Sequence, residues 1–514
     1  MCSSDLSIPA PQPGAPTMVV RRFRFVGNSV FSSERLERLT AGYLNRAVSF
    51  TELAEARNAV TKLYLDNGYT TSGAYIPMQT SQDGTVEIRI LEGRLGAVEV
   101  TVKGRLQPSY IRSRLQRAGR GVLNVPRLLE ALRLLQANPQ IETITANLAA
   151  SPEPGISTLR VKAISARSWQ AAAAMDNGRN PQTGSVRRGV DLSQANLIGN
   201  SDVLGVSYRN SDGSNDTQLS YQVPLAANDL TLNISYRDLN SWIIEAPLNS
   251  LNISSNYQQF FAGLRLPILR SVERELALGL SLNNQSNIGW FLDGVPYPSR
   301  GANSDGQTRV TTLSFNQEWI QRSSKDVLAI RSELGVGLPG WNTTTPYDYG
   351  ADPNSPDASF LLWRTDLQYL RELGKDVTLL GRARTQWADN PLPSVEQFGL
   401  GGLGSVEGYQ TNSLLTDSGL FASVELALPL LRWPAQQALL QAVPFASIGY
   451  GWGEGTAPQP SVNTLGSVGL GLQLKLGQQF YGRVDFAQRL GPTPYQSQGY
   501  WQDQAVVFTV RYSP

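Results

Sequence analysis

The spacing of hydrophobic positions changes once along this chain, near residue 167. Before that point, short alternating runs are interleaved with segments whose apolar residues recur every three or four positions. After it, alternation with period two is the rule. The N-terminal part reads as one supersecondary unit written twice. Its first copy opens on an alternating run over 19–26, closed by the turn pair Gly27-Asn28. Two helical patterns follow. One carries Leu36, Leu39 and Tyr43 on a single face, and the other carries Leu53, Ala56, Val60, Leu63 and Tyr64. Ser49-Phe50-Thr51-Glu52 has capping-box spacing at the start of the second helix, and Asn67-Gly68 offers a left-handed stop at its end. Strands over 74–79 and 86–91, joined through Gln82-Asp83-Gly84, close the unit.

The second copy repeats this order. A strand is expected over 95–103. One helix carries Ile111, Leu115 and Ala118, and another carries Leu128, Leu132 and Leu135 behind Pro126 in its first turn. Strands over 144–148 and 158–164 flank a turn-rich stretch at 151–155. The period of roughly 75 residues exceeds that of most solenoid repeats, so two tandem α+β domains are expected, over 19–92 and 93–166.

From Arg167 onward, Leu204, Val206 and Tyr208 alternate with Gly205, Ser207 and Arg209. Val468, Leu470, Leu472 and Leu474 alternate with Gly469, Gly471 and Gln473, and Val506, Phe508, Val510 and Tyr512 share one face of the last run. One face is apolar and the other mixes glycine, small polar residues and charges. A soluble sandwich hides its apolar face against a second sheet, whereas a membrane barrel shows it to lipid. A polar inner set, aromatics near strand ends (Tyr208, Tyr236, Trp319, Trp387, Tyr512) and short turns alternating with long polar loops favour the barrel. A repeat of about 22 residues per strand and connection then predicts about sixteen strands over 167–514. The fold class is therefore membrane all-β: a transmembrane antiparallel β-barrel preceded by two α+β domains.

Composition narrows the chemistry. Among 514 residues there is no histidine and one cysteine, so no imidazole-based triad, His/Cys zinc site or internal disulfide can form. No run approaches the roughly 18 apolar residues a spanning helix needs. Residues 19–166 carry 20 Lys+Arg against 12 Asp+Glu, a net of +8, while residues 167–514 carry 24 against 29, a net of −5. The scattered arginines form no basic run, so nucleic acid is not an expected partner. Gly399, Gly401 and Gly404 spell G-x-G-x-x-G, but without the strand–helix context of a dinucleotide site. Asp212 to Asp216 lacks the spacing of a calcium loop. No catalytic residue, cofactor or metal is expected. The proline-rich 1–18 reads as a linker, with any targeting signal lying upstream.

Several stretches carry a family resemblance over nearly the whole chain. Gly68-Tyr69-Thr70-Thr71-Ser72-Gly73-Ala74-Tyr75-Ile76-Pro77-Met78-Gln79 and Ile90-Leu91-Glu92-Gly93-Arg94-Leu95 are similar to the end of one POTRA domain and the joint to the next. Asp176-Asn177-Gly178, with Gly184 and Arg187-Arg188-Gly189, resembles the entry to the first barrel strands. Phe398 to Tyr409 is similar to the sixth loop, which folds back into the barrel, here over 396–418. The whole resembles the two-partner secretion transporters, the ShlB/FhaC/HecB family, with the stretches 196–199 and 208–216 closest to cyanobacterial members.

That resemblance implies an outer-membrane location with the POTRA pair in the periplasm. It implies capture of an unfolded exoprotein there, by strand augmentation, and passage through the barrel without nucleotide hydrolysis. Outer-membrane lipids are the other expected partner, and a monomer is expected. An assembly factor similar to BamA is the alternative, and a passive porin a third. The family's N-terminal plug helix is expected to be absent, because 8–16 is too rich in proline.

The loop motif departs from the family's Val-Arg-Gly-Tyr. Here it is Val406, Glu407, Gly408 and Tyr409, and Ser447 stands where the resemblance implies an aspartate on the barrel wall. Losing both partners is more tolerable than losing one, since a lone buried charge is costly. Arg483, on an inward phase inferred from alternation, is the expected replacement partner for Glu407.

Overall fold

The computed structural model describes residues 17–79, 83–297, 299, 301–344, 356–455, 459–495 and 499–514. Residues 1–16 of the expected linker, Gln82 of the expected turn and parts of the loops at 290–307 and 338–359 lie outside them. The chain divides into two compact units, Met1–Ala166 and Arg167–Pro514.

In the first unit, Arg22–Val26 runs parallel to Thr85–Leu91, which pairs antiparallel with Gly73–Tyr75. Helices Ser33–Thr40 and Phe50–Asp66 close a core around Phe23, Leu36, Val60, Tyr64 and Ile88. The capping box forms: Glu52 N donates to Ser49 Oγ at 3.3 Å and Ser49 N donates to Glu52 Oε2 at 2.7 Å. Gly68 takes the left-handed conformation at φ +85.

The expected strand over 19–26 is in fact two. Thr17–Val19 leaves the sheet to pair with Ala47–Ser49, so the last two residues of the expected linker are structured. The chain bends because Asn45 N bonds Val20 O while Arg21 N bonds Gly84 O. Leu39 is exposed rather than on the buried face, since the helix stops at Thr40 and tightens into a 3₁₀ turn, Ala41–Tyr43. The expected strand 74–79 ends at Tyr75, just ahead of Pro77, which has no N–H to give a ladder. Beyond it the Gln79 side chain takes over, bonding Glu87 O at 2.9 Å and Glu87 N at 2.8 Å.

The second domain has Ile156–Ser165 in the middle, parallel to Arg94–Lys103 and antiparallel to Ile141–Ala150. Helices Pro108–Ala118 and Val125–Gln136 cover it over Ile111, Leu115, Leu123 and Leu159. Polar groups fix the end of the first domain and tie the second to it. Buried Glu92 accepts from Ser29 N (2.7 Å), Val30 N (2.9 Å), Tyr64 OH (2.7 Å) and the Ser29 hydroxyl. Asn124 caps the last helix through Arg127 N and ties Asn67 O through its amide at 3.0 Å.

The second unit is a closed barrel of sixteen antiparallel strands, from Trp169–Asp176 to Val506–Tyr512, which meet over four residue pairs. The two-residue strand Val295–Pro296 is a side branch on Arg274–Phe291. Asp176 to Gly178 and Arg187 to Gly189 flank the turn of the first hairpin, Trp169–Asp176 against Arg187–Ala195. The period-two pattern becomes inside and outside: on Phe480–Arg489, Val484 and Phe486 are exposed outward while Asp485 is buried inward. Inward charges are paired between neighbouring strands, as in Arg187–Asp176 (3.1 Å), Arg209–Asp191 (3.0 Å) and Arg237–Asp216 (2.6 Å). Such pairing keeps a strongly charged lining from leaving isolated ions against the wall.

Candidate functional site: the infolded loop

The segment between Val377–Ala388 and Ser418–Trp433 turns inward and fills part of the barrel. It carries its own short hairpin, Phe398–Leu400 against Leu414–Thr416. Positive φ at Gly401 (+99) and Gly404 (+76) makes glycine the natural residue there, so two of the three glycines of the G-x-G-x-x-G spelling serve loop geometry.

The four motif residues are buried or nearly so at the tip. Val406 and Tyr409 lie within an apolar cluster with Leu400, Leu414, Phe421 and Leu465. A β-carbon at Gly449 would come within 3.0 Å of Val406 Cγ2, so the wall is thinned where the loop rests. Gly408 faces Ala487 and Ala505. The Tyr409 hydroxyl reaches Gly466 O (3.3 Å) and Gly491 O (3.4 Å). The next residues continue the seat: Gln410 Nε2 donates to Asp503 Oδ1 at 2.7 Å and Thr411 N to Gln502 Oε1 at 2.9 Å.

Glu407 is 5% exposed, which rules out a tip standing in water. It faces Asp485, Arg483, Glu425 and Arg382. Arg483 is inward and close, as its phase requires, yet it does not hold Glu407. Its guanidinium goes to Glu425 (2.5 Å) and Asp485 (2.8 Å), and Arg382 also pairs with Glu425. The expected Glu407–Arg483 pair does not form, because the arginine is held by two carboxylates fixed on the wall itself. Gly471 permits this, since a β-carbon there would collide with Asp485 Oδ1. Glu407 Oε2, Arg382 Nε and Arg483 Nη2 are buried with no hydrogen-bond partner among the described residues. Ser447 is inward and buried, but its hydroxyl pairs with Ser467 at 2.8 Å.

Sequence reasoning missed Glu425, Arg382 and Asp485 here, and also Glu396 at the loop's root. Glu396 is 1% exposed and bonded to Gln285, Thr312 and Arg364. A charged residue on the inward phase of a barrel strand was a readable signal for the first three. Glu396 lies outside any strand, where alternation is silent.

Comparison with known proteins supplies the setting. The profile of the family described as "Haemolysin secretion/activation protein ShlB/FhaC/HecB" matches residues 155–474, and that of "POTRA domain, ShlB-type" matches residues 18–93. The chain is 23% identical over 430 residues to the outer membrane transporter CdiB of Dickeya dadantii, covering 82% of this chain and 73% of the relative. It is 22% identical over 437 residues to the heme/hemopexin transporter protein HuxB of Haemophilus influenzae, covering 83% and 74%. In fold it is similar to CdiB from Escherichia coli, with a TM-score of 0.74 at 20% identity over 99% of this chain and 93% of the other. BamA from Haemophilus ducreyi, lacking POTRA domains 1–3, gives a TM-score of 0.56 at 15% identity, over 97% and 100%. The expected leaning toward cyanobacterial members is not borne out: these relatives come from Dickeya, Escherichia and Haemophilus.

Proposed function

Because the chain belongs to the ShlB/FhaC/HecB family of haemolysin secretion/activation proteins, we propose that its two units divide one task, capture and passage of a secreted exoprotein. The barrel stands in the bacterial outer membrane with the POTRA pair in the periplasm, and the protein exports its exoprotein by two-partner secretion. The observation that carries the reading is the infolded loop, a gate-like filling inside a sixteen-strand barrel that matches the family profile.

A capture surface fits the first POTRA domain. A groove of about 820 Å³ runs between helix Phe50–Asp66 and the strand Gly73–Tyr75, lined by Met18, Phe50, Leu53, Tyr75, Met78 and Val86. Phe50 is 79% exposed and Met78 is fully exposed. Among the described residues Gly73–Tyr75 pairs with a strand on one side only, but its Ala74 N–H is taken by Thr61 Oγ1 at 3.0 Å, so an extended chain would have to displace that bond to add a strand there. Backbone hydrogen bonds at such an edge supply affinity, and apolar pockets beside it select side chains. At the loop tip, Val406, Glu407, Gly408 and Tyr409 act as the seat, with Ser447 and Arg483 as parts of the wall that receives it. Outward apolar residues meet outer-membrane lipid. The barrel closes on its own strands, which supports action as a monomer.

The test is secretion of the cognate exoprotein in cells carrying the native transporter, a Phe50→Asp/Met78→Asp variant, or none. Export should need the transporter and drop at least tenfold in the groove variant, with other outer-membrane barrels at normal levels. Undiminished export without the transporter, together with a general loss of barrels, would instead identify a barrel-assembly factor.

A further inference from the structure

The loop is fastened at two places, and the chemistry of the two differs. At the tip, the contacts are mostly to backbone carbonyls and apolar side chains, and one Glu407 oxygen has no hydrogen-bond partner among the described residues. At the root, ten residues earlier in the chain, Glu396 is fully engaged. Its Oε1 accepts from Gln285 Nε2 (2.7 Å) and Thr312 Oγ1 (2.9 Å), and its Oε2 from Arg364 Nη2 (2.7 Å). Its backbone carbonyl accepts from Arg364 Nη2 and Gln386 Nε2, each at 2.9 Å. Arg364 Nε is held in turn by Gln386 Oε1 at 2.8 Å.

The four donors come from Arg274–Phe291, Gln307–Arg322, Leu361–Gly374 and Val377–Ala388, the seventh, eighth, tenth and eleventh strands of the ring. The tip rests on Gly449, Gly466 and Ala487, on the thirteenth to fifteenth. In the closed ring of sixteen the two sets share no strand, so root and tip are held by separate stretches of the wall. Each end also has its own apolar cluster. Leu392 packs with Val310, Phe360, Leu362 and Ala388 below the root, separate from the cluster around Tyr409.

We infer that Glu396, clamped by Arg364, is a positioning residue that fixes the stem of the infolded loop independently of its tip, so that the channel opens by release of the tip about a retained stem. A buried carboxylate that accepts three hydrogen bonds, one of them from a guanidinium that also grips its own backbone carbonyl, is a strong, charge-assisted fastening. Removing Arg364 leaves Glu396 charged and buried, which is far costlier than the loss of an ordinary contact. The four tip residues themselves, 406–409, make no ion pair among the described residues, and their nearest charge-assisted bond is Gln410 to Asp503, so the tip is the end that lets go first. This inference rests on the transporter reading, but its test does not need secretion.

The experiment is planar-bilayer recording of the full-length protein carrying Glu396→Gln, Arg364→Met, Arg364→Lys or Tyr409→Ala, with the double variants. Glu396→Gln keeps the Oε1 contacts and sets an amide NH₂ against Arg364, so it disturbs the clamp without emptying the site. Heat-modifiable migration reports barrel folding in every variant. Arg364→Met and Glu396→Gln should raise open probability about tenfold, Arg364→Lys should recover part of the change, and Tyr409→Ala should add to the root variants. Unchanged conductance in folded Glu396→Gln and Arg364→Met would overturn the clamp. A double variant no more open than either single one would show that the loop leaves as one body, and would overturn the independence of stem and tip. Failure of the native channel to support export would count against the transporter reading alone.

Discussion

Around the loop tip, two guanidiniums, Arg382 and Arg483, answer three carboxylates, Glu407, Glu425 and Asp485. Glu407 is the carboxylate left over, and one of its oxygens is buried without a hydrogen-bond partner among the described residues. Leaving such a group unsatisfied costs about 1–3 kcal/mol. Glu407→Gln removes the surplus charge at nearly constant volume, so it should seat the tip more firmly and lower resting conductance several-fold. Bilayer recording checks this, and a more open channel in the variant would contradict the excess-carboxylate account. At the POTRA joint, burial works to raise the Glu92 carboxyl. The Ser29 hydroxyl and N–H, the Val30 N–H and the Tyr64 hydroxyl outweigh burial and hold it below the usual range. Its folded value lies under its unfolded one, about 4.3, so its stabilisation is present above that pH and fades as pH falls through the folded value. Urea titrations of residues 17–166 should show stability falling as pH drops below about 4. Glu92→Gln should be weaker at neutral pH and flatter across the acid range, and equal slopes would remove Glu92 from the account. The sequence alone exposed Glu407 through its departure from a motif, and placed Arg483 inward by alternation. It could not assign partners: Arg382 and Arg483 reach Glu425 across 43 and 58 residues, and only the closed ring decides which charges meet.

At the scale of elements, what was legible is what is decided locally. Helix Phe50–Asp66 begins at Ser49 and stops at Asn67-Gly68 as its capping box and glycine require, because those signals act within one turn. Strand ends were less legible, because they depend on distant partners. The bend after Val19 is made by Asn45 and Gly84, and the strand Gly73–Tyr75 is cut short where Gln79 substitutes its side chain for the ladder. Loss of the cap is therefore a clean test of locality. Ser49→Ala removes the acceptor for Glu52 N while leaving the core untouched, and should cost about 0.5–2 kcal/mol in urea unfolding of the POTRA pair. Since the helix also forms one wall of the groove, fraying of its first turn should loosen Phe50 and weaken binding of an exoprotein segment in proportion. A stability loss with unchanged binding would separate the helix start from the capture surface.

At the scale of the molecule, the number of strands followed from length because each crossing of a bilayer needs a similar stretch of chain, whereas the contents of the barrel did not follow from any count. The two units are built on different terms. The POTRA pair buries two apolar cores of its own, and the barrel satisfies its edges by joining its last strand to its first, with no strand from the other unit in the ring among the described residues. A closed ring has no free edge that a second domain must cover. A chain lacking residues 17–166 but exported to the outer membrane should therefore still form a heat-modifiable barrel and conduct in bilayers. It should release no exoprotein to the medium, since the groove beside helix Phe50–Asp66 is gone. Quantifying exoprotein in medium and periplasm alongside barrel level separates the cases. Export at the native rate would assign capture to the barrel, and loss of the folded barrel would show that the POTRA pair is needed to build it.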